Sequence, residues 1–109
     1  MRVEKPVIVE KPWGKEIFLC CNDRYIMEIM EIKKGGRTSL HYHENRMETF
    51  YILAGVLKVD TKVLHAGYVV TVMPKEIHRL EAIEDVKVIE VSTPELNDII
   101  RLQDDYSRI

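Results

Sequence analysis

Cysteine is scarce in this chain, and the two present, Cys20 and Cys21, are adjacent. Geometry disfavours a bridge between direct neighbours, so no disulfide framework is expected. A lone pair of this kind also lacks the spacing of a zinc knuckle and reads as two buried or half-buried thiols near a strand end. Long apolar runs are missing as well: nothing approaches the roughly 18 residues that span a bilayer. The N-terminal stretch MRVEKPVIVEKPWGKE alternates charge with short apolar pieces, unlike a secretory signal, so a cytoplasmic location is expected. Nor is there an excess of one charge. Sixteen basic residues face eighteen acidic ones, for a net charge of -2, which leaves no field to hold a phosphate backbone or an anionic membrane. Neither nucleic acid nor membrane is an expected partner.

What is there suits one small domain spanning residues 1–109. Its 109 residues are 46% hydrophobic and 31% charged, enough to fill a single core and keep it soluble. The apolar residues come in short runs rich in Val, Ile, Leu, Tyr and Met, punctuated by Gly, Pro, Asn and Asp, which predicts an all-β chain. Turn chemistry is expected at Asn22–Asp23, Gly35–Gly36, Asp60 to Lys62, Ala66–Gly67 and Pro74. Ala54 and Gly55, between two strong strands, have the spacing of a tight hairpin. In the strand Tyr25 to Lys33, Glu28 shares parity with Ile26, Met30 and Ile32, while Met27 and Ile29 lie opposite, so both faces are expected to be partly covered. Only the tail differs: after Thr93 and Pro94, the residues Leu96, Ile99, Ile100 and Gln103 fall at helical spacing, predicting a short helix within Pro94 to Asp105.

The informative stretch is GGRTSLHYHENRMETFYILAG, residues 35–55. His41 and His43 are two apart, so on a strand both imidazoles leave one face, roughly 7 Å apart at the backbone. Glu48 opens the next strand, and its carboxylate can return to the same point. His78, in PKEIHRLE, is the fourth candidate. Three imidazoles and a carboxylate suit one divalent transition ion of the set Mn, Fe, Co, Ni or Zn better than Mg or Ca. A single His-x-His is weak evidence by itself, since surface histidines are common.

The full spacing is far more specific. Gly35, five residues, His41, one residue, His43, four residues, Glu48, six residues and Gly55 match the first cupin motif position for position. Gly67, six residues, Pro74 and His78 match the second in part, with Glu76 where glycine is usual and Ala82 where asparagine is usual. The chain therefore resembles the cupins, which implies a double-stranded β-helix, or jelly-roll barrel. Within that group, KPWGKEIF at Lys11, the residues from Gly35 to Glu48, PKEIHRLE and the ending NDIIRLQDDYSR resemble the type II mannose-6-phosphate isomerase domain. That domain commonly forms the C-terminal part of bifunctional enzymes that also make GDP-mannose. These 109 residues hold no nucleotidyltransferase domain, and His41 stands where the bifunctional enzymes usually carry Gln.

The resemblance implies interconversion of an aldose phosphate and a ketose phosphate, with a metal polarising the substrate oxygens. Glu76 and Glu44 are candidate bases and Lys75 an electrostatic helper. Arg37, Arg79 and Arg101 are candidate phosphate contacts, Arg37 preferred because it sits in the Gly-rich loop before His41. Arg79 has the opposite parity to His78, which favours a solvated role equally. Trp13 can stack on a sugar, although a lone Trp is more often packing, and Tyr106 with Arg101 can close over the site or pin the tail. A sugar-binding module without turnover, an iron-dependent oxygenase and a metal-free epimerase are the rival readings. By analogy with other small cupins a homodimer is expected, with the Val7 to Val9 piece laid against a neighbour.

Overall fold

Short apolar runs with alternating parity leave the chain little choice but strands. The computed structural model describes residues 1–109. It contains eleven strands and no helix. In chain order they are β1 (Val7–Lys11), β2 (Gly14–Cys21), β3 (Ile26–Ile32), β4 (Leu40–Tyr42), β5 (Glu48–Ala54), β6 (Val56–Val59), β7 (Lys62–His65), β8 (Val69–Val72), β9 (Leu80–Ala82), β10 (Val86–Ser92) and β11 (Ile100–Gln103). One wall is a six-stranded sheet in the order β1-β2-β3-β10-β5-β8; facing it are the sheet β7-β6-β9 and the pair β11-β4. Every strand pair is antiparallel. This is the double-stranded β-helix that the motif spacing implied.

The register of the large sheet explains where the core ends and the site begins. Val86 lies opposite Ile32, and Val88 opposite both Met30 and Ile52. These rows form an apolar floor, joined by Leu57, Val59, Val72, Leu80 and Ala82 from the other strands. Full burial of each such side chain contributes about 1.5–3 kcal/mol. The next rows change character. Glu90 sits opposite Glu28 and Phe50, and Ser92 opposite Ile26 and Glu48. Directly paired residues face the same side of a sheet, so three carboxylates point inward at one end of the barrel.

Two expectations from the sequence are corrected. Ala54 and Gly55 make no tight hairpin: β5 pairs with β10 and β8, whereas β6 pairs with β7 and β9, so this turn carries the chain from one wall to the other. Gly55 has φ +87°, and a Cβ there would lie 2.0 Å from the carbonyl oxygen of Asp85, so only glycine allows the crossing. The tail forms no helix. Residues 94–98 turn, and Ile100–Gln103 becomes β11 by pairing with the free edge of β4. A ladder with β4 satisfies both backbones, and β-branched Ile99 and Ile100 suit it. At the edge of the large sheet, Val7–Lys11 pairs with β2 and leaves its outer edge open. No helix is long and apolar enough to cross a membrane.

Candidate metal centre

Backbone pairing brings the histidines together. His41, at the middle of β4, exchanges both main-chain hydrogen bonds with His78, at 3.0 and 2.9 Å. The two residues are therefore directly opposed, with ring centroids 4.3 Å apart. His43 follows β4, its ring centroid 4.9 Å from that of His41, and its carbonyl accepts the N–H of Lys75 at 2.6 Å. Glu48 enters from the first position of β5 on the opposite wall. One nitrogen or oxygen from each of His41, His43, Glu48 and His78 falls within 4.8 Å of all the others, and all four residues are buried.

The outer nitrogen of every imidazole is held by a main-chain carbonyl. Nδ1 of His41 donates to Ser39 O at 2.7 Å, Nδ1 of His78 to Glu76 O at 2.9 Å, and Nδ1 of His43 to Asp98 O. A carbonyl only accepts, so Nδ1 carries the proton and Nε2 presents a lone pair. Nε2 of His43 and of His78 lie 3.0 and 3.2 Å from the same Glu48 Oε1. Lone pairs facing at that distance require a cation or a proton between them. Oriented Nδ1–H groups over a converging Nε2 set are the support a metal centre needs, and this donor chemistry fits a divalent first-row ion.

Electrostatics point the same way. Burial opposes charge on His43, but the hydrogen bond and charge of Glu48, with the Asp98 carbonyl, outweigh it and raise the imidazole above its ordinary value. Burial and the neighbouring His78 push His41 down to about 3, so it stays neutral. Glu48 resists its own burial because His43, His78 and Arg46 favour the carboxylate and hold it well below the usual range.

His41, His43 and Glu48 open onto a cavity of about 90 Å³, room for roughly three waters. Its remaining walls hold residues the motif reading did not single out: Glu16, Glu28, Arg46, Glu90 and Arg108. Buried Arg46 donates to Glu90 Oε2 at 2.7 Å and to Ser92 Oγ at 3.1 Å, and its Nη2 lies 3.7 Å from Glu48 Oε2. Burial, with the charge of Glu16, pushes Glu28 up to about 9. Burial and the charges of Glu48 and Glu28 raise Glu90 strongly. The signal for these residues was their inward parity: Glu28 interrupts Ile26, Met30 and Ile32, and Glu90 interrupts Val86 and Val88.

The residues proposed from motif proximity divide. Trp13 and Arg101 line the cavity. Arg101 lies opposite His41 in the β11-β4 ladder, and its buried Nε has no hydrogen-bond partner. Arg37 lies outside the cavity walls, its guanidinium clamped by Asp105 at 2.5 and 2.8 Å. Arg79 is turned to the carbonyls of Thr38 and Gln103, at 3.0 and 3.4 Å. Lys75 and Glu76 sit on an exposed turn, where Glu76 Oε1 accepts the Met73 N–H at 2.9 Å. Glu44 is exposed, and its N–H donates to Asp98. Tyr106 packs against the core and pins the tail. A wider groove of about 500 Å³ lies at the opposite end of the sheet, but its Lys15 and Lys87 both pair with Glu31 at 3.7 and 3.5 Å and nothing there converges.

A small double-stranded β-helix enclosing a three-histidine, one-glutamate centre defines the class. The chain belongs to the cupin domain family, whose model matches residues 28–92. It is 29% identical over 110 residues to the mannose-1-phosphate guanylyltransferase of Escherichia coli K12, covering 93% of this chain and 23% of that protein. It is 31% identical over 107 residues to mannose-1-phosphate guanylyltransferase 2 of Escherichia coli O157:H7, with 90% and 22% covered. The chain thus spans less than a quarter of the length of these relatives. Among solved structures, an RmlC-like cupin from Shewanella frigidimarina superposes with a TM-score of 0.74 at 24% identity, covering 84% of this chain and 86% of that one. Ectoine synthase from P. lautus superposes with 0.75 at 16% identity, covering 89% and 81%. At such identities these structures speak to the fold alone.

Proposed function

We propose that this chain is a metal-dependent sugar-phosphate isomerase, interconverting an aldose phosphate and a ketose phosphate, with mannose 6-phosphate and fructose 6-phosphate as the pair. The observation that carries this reading is Arg101. Its unpartnered Nε–H lines the same cavity as the metal-competent cluster, so an anion held there would present the rest of its molecule to His41, His43 and Glu48. The guanylyltransferases that this chain resembles act, by their names, on a mannose phosphate, which supports the ligand class.

A divalent transition ion held by His41, His43, Glu48 and His78 would supply Lewis acidity toward the carbonyl and hydroxyl of the sugar. The chain does the rest. Arg46 pins the second oxygen of Glu48, and the carbonyls of Ser39, Glu76 and Asp98 keep the imidazoles in the lone-pair-inward state. Trp13, Met30 and Ile99 wall the cavity and exclude bulk water. The cavity admits the reacting end of a sugar, while the remainder lies at the rim near Arg101 and Arg108.

The test is an NMR time course of metal-loaded protein with mannose 6-phosphate beside a His43→Ala control. Metal-dependent fructose 6-phosphate, lost in the control, is expected. No product with Mn, Co, Ni or Zn would sink the isomerase reading. Saturable binding without product would then favour a sugar-binding module, and oxygen uptake by the iron-loaded chain an oxygenase.

We further propose that the chain is a homodimer joined through the outer face of its large sheet. Ile8, Ile17, Ile29, Ile89, Tyr51 and Val69 lie opposite one another in turn across all six strands, and none is buried. An apolar row of this length on an exposed face is the kind of surface that a second copy covers.

A further inference from the structure

The cavity contains an acid pair that holds no part of the metal cluster. Glu28, on β3, is 2% exposed and lines the cavity together with Glu16 of β2. A carboxyl buried to this degree favours its protonated form. The surroundings keep it there. Glu90 stands directly opposite Glu28 on β10, Glu48 adds a further negative charge from β5, and Arg46 is the cation facing them from the loop after β4. Arg46 is hydrogen-bonded to Glu90, leaving Glu28 without a basic partner. Glu16, half-buried at the cavity wall, has Lys11 Nζ 3.7 Å from its Oε1. The result is a buried carboxyl without a cation beside one that is paired with a lysine, both facing the same small volume as His41, His43 and Glu48.

We propose that Glu16 and Glu28 are the general base and general acid of the reaction, a role for which the exposed Glu76 and Lys75 are misplaced. The inference rests on the isomerase reading. Starting from the ketose, the Glu16 carboxylate takes a proton from the carbon beside the carbonyl. The C–H electron pair becomes the C–C double bond as the carbonyl oxygen takes the Glu28 proton. Glu28 then recovers a proton from the neighbouring hydroxyl, whose carbon becomes the new carbonyl, while Glu16 returns its proton to the former carbonyl carbon. Every atom is retained and no oxidant enters. Environments that drive two carboxyls apart in proton affinity are what such a division of roles needs.

The test uses the full chain as wild type, Glu28→Gln and Glu16→Gln, with three readouts. Infrared difference spectra at neutral pH report protonated carboxyl groups, elemental analysis reports Mn, Co or Zn content, and NMR reports wash-in of solvent deuterium to mannose 6-phosphate. We expect a protonated-carboxyl band in the wild type that Glu28→Gln loses, metal content unchanged in both variants, and wash-in reduced by about 100-fold or more in each. A wild-type spectrum without that band, or variants that exchange deuterium as the wild type does, would overturn the acid–base assignment and leave the isomerase reading standing. A metal-loaded wild type that neither exchanges deuterium nor forms fructose 6-phosphate would overturn both.

Discussion

The carbonyl of Asp98 accepts the Nδ1–H of His43, 55 residues earlier in the chain, while the Asp98 carboxylate takes the N–H groups of Glu44, Asn45 and Arg46 at 2.9, 2.7 and 3.0 Å. One residue of the tail therefore fixes both an imidazole of the cluster and the loop that delivers Arg46. The three main-chain donors also hold the Asp98 carboxyl below its ordinary value. Asp98→Ala keeps the carbonyl but removes the carboxylate that holds it in place, and is expected to weaken binding of Co or Zn by about 10-fold, the low end of the cost of disturbing an outer orienting group, measured by isothermal titration. Unchanged affinity would show that the carboxylate is not needed to keep the carbonyl on His43. The depressed value means that this anchor is intact above the ordinary aspartate range and lost as pH falls through its folded value. Exchange protection of the amides of residues 44–46 is expected to collapse there.

Glu28 gives the metal-free protein a second pH dependence of opposite sign. Its value is raised from 4.5 to about 9, so the folded state keeps a proton that the unfolded state loses above 4.5. Its contribution is complete below 4.5 and falls as pH rises through the window up to about 9, by at most about 1.4 kcal/mol per pH unit. Glu28→Gln removes the titration. Chemical denaturation is expected to show the variant gaining on the wild type from pH 5 to pH 8; parallel curves would mean that Glu28 is ionised in the folded chain.

Arg46 is the guanidinium buried among Glu48, Glu90 and Ser92. Arg46→Met leaves the Glu90 carboxyl, already raised by burial, without its hydrogen bond and its cation, and a buried polar group left unpartnered costs about 1–3 kcal/mol. Adding Glu90→Met is expected to restore a large part of that loss, because the unpartnered carboxyl goes with it. A double variant no more stable than the single one would assign the cost to lost packing.

Gly55 and Gly67 separate two costs of adding a side chain. Both have positive φ, +87° and +95°, but a Cβ at Gly55 meets Asp85 O at 2.0 Å whereas one at Gly67 meets nothing within 4 Å. Gly67→Ala is expected to cost about 1–3 kcal/mol from backbone strain alone. Gly55→Ala adds the clash and is expected to cost more, read from thermal unfolding midpoints. Equal losses would show that the crossing between the walls can shift.

The apolar row on the outer sheet face predicts a dimer by sedimentation velocity. Tyr51, 41% exposed on β5, is the position to break it: Tyr51→Glu is expected to sediment as a monomer with its metal content unchanged. A wild type that sediments as a monomer at all concentrations would remove the dimer.

Much of the cluster was legible because its signals are local. His41 and His43 are two apart on one strand, Glu48 opens the next, and the glycines that bend the chain stand at fixed offsets, so spacing alone carries the set. Lys75 and Glu76 were suggested by nearness in sequence to His78, and the turn that places His78 inward leaves those two side chains exposed. Helical spacing in the tail was real in number but was overridden by an open strand edge. A run of four residues beside an unpaired ladder gains more from pairing than a single helical turn gains alone.

By itself the sequence determined which face each strand side chain occupies, and so the core, the inward glutamates and the four candidate ligands, because alternation is a property of one strand. Which strands are neighbours is not. Only the tertiary structure decided that β3, β10 and β5 stand side by side, gathering Glu28, Glu90 and Glu48 into one cavity, and that β11 lies on β4, turning Arg101 toward His41 while Asp105 clamps Arg37. Those pairings join segments far apart in the chain, and their energy comes from surfaces that exist only once the walls have closed.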